Sequence, residues 1–143
     1  MPVIVVGADT SLGSSIVTAL DAPGREIRAF VSDEKAAASL RSGGVKVALG
    51  DVSDDSHIEA AATRCFSAIL IGEAATDSRE RAFADSEQKV LEGWATAVAK
   101  ITRVIWVHQG PVPAVKPTQV AIVDPHDPEV VAKVVSLDEA GEI

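Results

Sequence analysis

At 143 residues and 14.8 kDa the chain has the length of a single domain, 1–143, able to bury about two-thirds of its unfolded surface. Hydrophobic residues make up 47% and charged residues 24%, which excludes a disordered chain, and no apolar run reaches the roughly 20 residues of a membrane span. A formal net charge of −8, with Lys and Arg scattered, argues against nucleic acid or an anionic membrane surface as partner.

The first element is the apolar run Val3–Val6, in a start, MPVIVVGAD, without a basic n-region; it reads as a strand in a cytoplasmic protein. The run stops at Gly7 and opens the loop GADTSLG, 7–13. Its leading glycine permits a tight turn after a strand, and Gly13 permits the following helix to pack against the sheet. The amides of that first helical turn suit a pyrophosphate, where the helix dipole favours negative charge. The position midway between the glycines is Thr10, whose hydroxyl could donate to a phosphate oxygen, and Asp9 beside it would repel a dianion if it pointed inward. The alternative is a strand–helix turn that uses its glycines for backbone reasons only.

Ser11–Leu20 carries Leu12, Ile16, Val17 and Leu20 at helical spacing, and Ile27–Val31 is the second strand. Dinucleotide folds place an acid or a base at the end of this strand, for the ribose hydroxyls or an extra phosphate. Here those positions are Val31 and Ser32, and Asp33 stands late, as the N-cap of a helix over 33–41 that ends at Gly43-Gly44. A third strand over 45–49 leads to Gly50 and Asp51, where an acid could accept from an adenine amino group. Ser53-Asp54-Asp55 can start the next helix, 53–63, by themselves, which leaves Asp51 for a ligand; helix initiation is its other reading.

Cys65, the single cysteine, excludes an internal disulfide and reads as a buried thiol. A fourth strand over 68–71 precedes a long helix over 78–100, with Phe83, Val90, Leu91, Trp94, Val98 and Ile101 as its apolar stripe; packing on the sheet or a homodimer through this helix are its two uses. The fifth strand, 104–107, ends at His108 and Gln109, and His108 could bind substrate, act as acid or base, or pair with backbone. The proline-rich link 110–117 connects to a sixth strand, 120–123, and Asp127-Pro128 caps a last helix through Val135. His57, His108 and His126 have no ligand partner at helical spacing, so no metal site is expected.

Continuous apolar strands alternating with helices define an α/β fold: one Rossmann-type doubly wound parallel sheet of about six strands, in the order 3-2-1-4-5-6.

VIVVGADTSLG, IRAFVSDEKAAASL and VKVALGDVSDD, continuing through ILIGEAA, together with RVIWVHQG, resemble the atypical short-chain dehydrogenase/reductase group, especially its NmrA-like and NAD(P)H-flavin-reductase-like members. The resemblance covers nearly the whole chain. It implies that Gly7, Ala8, Thr10, Ser11, Leu12 and Gly13 line a pyrophosphate of NAD or NADP. It places Ser32 at the position that marks NADP, Asp51 and Val52 at the adenine, and Gly72, Glu73 and Ala74 along the nicotinamide-side ribose. His108 takes a serine's place beside the nicotinamide. The Tyr-x-x-x-Lys pair of family reductases has no counterpart, because the chain contains no tyrosine, and a short link replaces the segment that would hold it. The expectation is therefore a truncated, minimal NAD(P)-binding module without the usual catalytic residues. A small NAD(P)H-dependent flavin or quinone reductase is the first alternative. A degenerate Rossmann scaffold acting through protein contacts is the second.

Overall fold

The computed structural model describes residues 2–115 and 119–139, so the end of the proline-rich link, Lys116 and Pro117, lies outside the described residues. Six strands, β1 (Val3–Val6), β2 (Ile27–Val31), β3 (Lys46–Leu49), β4 (Ser67–Ile71), β5 (Arg103–Val107) and β6 (Gln119–Val123), form one sheet in the order β3-β2-β1-β4-β5-β6. Every pairing is parallel, and the central registers run Val3 to Ile27 on one side and Val3 to Ser67 on the other. The fold expected from the apolar pattern is the one observed.

Helices cover both faces, which is why the central strands read as unbroken apolar runs rather than alternating ones. Side chains alternate along each strand. Val3, Val5, Ile69, Ile71 and Ile105 therefore pack with α1 (Ser11–Leu20), α2 (Glu34–Ser42) and α5 (Val130–Glu139). Ile4, Val6, Leu70, Val104 and Trp106 face α3 (Asp55–Ala61) and α4 (Glu87–Ala97). Trp94 of α4 is fully buried there; its indole N–H donates to Val52 O at 2.8 Å, and its ring stacks on Trp106 with centroids 6.5 Å apart. Cys65 is buried, as its apolar surroundings suggest, and burial pushes its thiol pKa up.

Local signals set the helix ends. Asp33 caps α2 through Ala36 N, and the helix stops at Gly43, before Gly44 at φ +89°. Asp54 caps α3 through His57 N, so the helix begins at Asp55, two residues after the expected start at 53.

The helix expected over 78–100 is shorter than its apolar stripe suggests. Ser86 caps α4 through Lys89 N, and 78–86 is a non-helical strap. Phe83, the first residue of the expected stripe, is 69% exposed. Val90, Leu91 and Trp94 pack on the chain's own sheet, the first of the two uses expected for this helix.

Candidate functional site

In an open parallel sheet, ligands bind beyond the carboxyl ends of the strands, where the winding reverses. Here the reversal lies between β1 and β4, and the turn after β1 stands at its centre. Gly7 takes φ +90°, a region favouring glycine, and a Cβ on it would stand 2.9 Å from Ile71 Cβ. A Cβ on Gly13 would come within 2.1 Å of Gly7 O, so the first turn of α1 sits directly on the loop only because position 13 is glycine.

Thr10 closes this turn from within. Its hydroxyl donates to Gly7 O at 2.7 Å and accepts from Gly13 N at 2.9 Å, as the N-cap of α1. The expectation of a hydroxyl directed at a phosphate is thereby corrected: the donor is spent inside the loop, and Thr10 is 5% exposed. Ser11 and Leu12 remain as first-turn amides without an intrahelical acceptor.

Asp9 points sideways, to the end of β2. Its Oδ2 accepts from the amides of Ser32, at 2.8 Å, and Asp33, at 3.3 Å. The Arg79 Nη1 atom donates to both of its oxygens, at 2.9 and 3.1 Å. Arg79 in turn reaches Asp77 through Nε and Nη2, so one guanidinium is clamped between two carboxylates. Burial alone would lower the Arg79 pKa, but Asp77 and Asp9 more than offset this and raise it.

Asp51, at the end of β3, is not the free carboxylate that Ser53-Asp54-Asp55 appeared to allow. Ser53 donates to its Oδ1 from both amide and hydroxyl, at 2.8 and 2.6 Å, and Ala82 N reaches its Oδ2 at 2.7 Å. Partial burial pushes the Asp51 pKa up; the Ser53 hydroxyl, the two amides and Arg81 outweigh that and hold it below its ordinary value. Ser53 Oγ also accepts from Phe83 N at 2.9 Å, so 77–83 is tied across the ends of β1, β2 and β3. Val52 lies away from the crevice, its side chain in the core beneath α4.

On the other side of the central turn, β4 runs into a single 3-10 turn, Gly72–Ala75, with Gly72 and Ala74 buried and Glu73 exposed. His108, 8% exposed, follows β5 and lays its ring on Gly72: a Cβ there would stand 2.1 Å from His108 Nδ1. Its Nε2 faces Glu87 Oε1 of α4 at 3.5 Å, an ion pair when the imidazole is protonated.

Two cavities follow from this arrangement. One, of about 570 Å³, lies at the ends of β2 and β3 and is lined by Asp9, Ser32, Asp33, Gly50, Asp51, Asp77, Ser78, Arg79 and Glu80. The other, of about 300 Å³, lies at the ends of β4 and β5, with Leu12, Gly72, Glu73, His108 and Gln109 among its walls. A third, of about 350 Å³, shares Glu87, His108 and Gln109 with the second and is walled by Leu91, Pro111, Val112 and Pro113. The sequence reading missed Arg79, Arg81 and Glu87; the alternating charges of Asp77-Ser78-Arg79-Glu80-Arg81 were the available signal.

A glycine turn at the switch point of a doubly wound parallel sheet, flanked by one cavity on each side, defines a Rossmann domain. The chain belongs to the NmrA-like family, whose model matches residues 2–134. No sequence among curated proteins matches significantly. Among solved structures, the chain is similar to the triphenylmethane reductase of Citrobacter sp. complexed with NADP(H), at 19% identity and a TM-score of 0.61, covering 75% of this chain and 37% of that one. The NADPH-dependent quinone oxidoreductase of Escherichia coli complexed with NADPH is similar at 19% identity and a TM-score of 0.60, covering 73% and 36%. An anaerobillin reductase of Escherichia coli is similar at 23% identity and a TM-score of 0.58, covering 76% and 51%. The chain thus spans between about a third and a half of the length of these proteins.

Proposed function

We propose that this chain binds a nicotinamide dinucleotide across the central turn and serves as a small NAD(P)H-dependent reductase of flavin- or quinone-type acceptors. The observation that carries this reading is the pair of cavities on opposite sides of the Gly7–Gly13 turn, one of which places His108 and Glu87 beside an adjoining, partly apolar cavity. Family membership and the cofactors named for the similar reductases support it.

The residues fit such a group. Gly7, Ala8 and Gly13 keep the turn free of bulk, and Thr10 orders it. The amides of Ser11 and Leu12 suit a pyrophosphate at the positive end of α1. Ser32 and Asp51 stand at the adenosine end; Oδ2 of Asp51, with one bond from Ala82, keeps a lone pair for an adenine amino group. Gly72 and Glu73 border the nicotinamide side, whereas Ala74 and Val52 are fully buried in the core behind the site.

A bound reduced nicotinamide supplies two electrons as hydride. His108, whose Nε2 faces Glu87 Oε1 at 3.5 Å, supplies the matching proton. This replaces the tyrosine acid that the chain does not contain. That same absence favours a second reading, a nucleotide-binding module without turnover.

Calorimetry with NADH and NADPH, followed by nucleotide oxidation with FMN or a benzoquinone, tests the proposal. Binding with turnover, slowed by about 10²-fold or more in His108→Ala, is expected. Binding without turnover selects the module, and absence of binding at millimolar nucleotide leaves the degenerate scaffold.

A further inference from the structure

Resting on the dinucleotide reading, we infer that the clamp Asp9–Arg79–Asp77 makes the adenosine end select a ribose 2′-hydroxyl over a 2′-phosphate, so the cofactor is NAD(H). An arginine recognises a phosphate through a free donor fork. Arg79 has no such fork: Nε donates to Asp77, Nη1 to both oxygens of Asp9, and Nη2 to Asp77 at 2.8 Å. To turn toward a phosphate it would leave the Asp9 carboxylate, 4% exposed, without its cation. Stranding a buried charge in this way is strongly unfavourable.

The surroundings point the same way. Five carboxylates, Asp9, Asp33, Asp51, Asp77 and Glu80, line the cavity against the single guanidinium of Arg79. Arg81, the next cation, is bonded to Asp77 and to the carbonyl of Ala74. Ser32 stands where a free arginine would be needed, and its hydroxyl lies 3.5 Å from Arg79 Nη1. A ribose diol meets no penalty here, since its hydroxyls donate to carboxylate oxygens, whereas a phosphate dianion meets repulsion from several sides. Selection therefore comes from the carboxylates that line the cavity, with its one guanidinium locked between Asp77 and Asp9, the acid of the loop after β1. The acid that dinucleotide folds carry at the end of β2 is replaced here by Val31.

The test is calorimetric titration of the wild-type chain, Asp9→Asn and Asp77→Asn with NADH and with NADPH, at low and high salt. Wild type should bind NADH at least about tenfold more tightly, with the gap narrowing as salt screens the carboxylates. Either Asn variant should narrow the gap at low salt by freeing part of the Arg79 fork. NADPH binding as tight as NADH in wild type overturns the inference and leaves the dinucleotide reading standing; so does a gap that neither substitution nor salt alters. Failure of both nucleotides to bind overturns the dinucleotide reading, and the inference with it.

Discussion

His108 owes its position to a missing side chain. Its ring occupies the space a Cβ on Gly72 would need, so Gly72→Ala must displace the ring. Double-mutant analysis should show coupling: Gly72→Ala destabilises wild type by about 1–3 kcal/mol and costs less in a His108→Ala background. Additive losses in denaturant unfolding would show that the contact is not the cause. The two tryptophans make a second residue-scale contrast. Trp94 satisfies Val52 O, whereas Trp106 Nε1 meets no acceptor among the described residues. Trp94→Phe should therefore cost about 1–3 kcal/mol more than Trp106→Phe, because only the first leaves a buried carbonyl unpaired. Equal costs in the same unfolding experiment would refute this. Neither His108 on Gly72 nor the Trp94 bond was legible in the sequence, since each joins residues separated by more than thirty positions.

The strap 78–86 is where element-scale reading and structure part. Its residues include good helix formers, and local composition extends α4 back through them. The structure instead ties them to Asp9, Asp51 and Ser53, partners 70, 31 and 30 residues away in sequence. Such long-range ion pairs and hydrogen bonds override a weak local propensity and leave no periodic trace. By contrast, all six strands and α1 could be read directly, because continuous apolar runs and helical spacing are local properties. The strap should also respond to acid. Partial burial of Asp77 would raise its pKa, but Arg79 and Arg81 lower it below the ordinary 3.8, and Asp51 is lowered likewise. Carboxylates with depressed folded pKa values stabilise above their unfolded pKa and lose that contribution as pH falls through the folded value. Exchange protection of the Ala82 amide, corrected for intrinsic rates, should hold from neutrality to about pH 4 and fall below it. It should be lost at neutral pH in Asp51→Ala. Protection unchanged in that variant would mean that the strap is held by other contacts.

At the scale of the molecule, the fold gathers into one crevice what the sequence scatters: a glycine turn, a clamped arginine on one side, and a histidine–glutamate pair on the other. The central turn belongs to both cavities, through Asp9 to one and Leu12 to the other, and the proposed dinucleotide would lie across it. A further surface depression, between α1 and α5, involves Ala19, Val131 and Val135 and lies away from the strand ends. Amide chemical shifts followed during titration with NADH distinguish these places in one measurement. The account predicts shifts at Leu12 and Gly13 accompanied by shifts at Ser32 and Ala82 on one side and at Gly72 and His108 on the other. An unchanged spectrum at saturating nucleotide, or shifts confined to the α1–α5 depression, would contradict it.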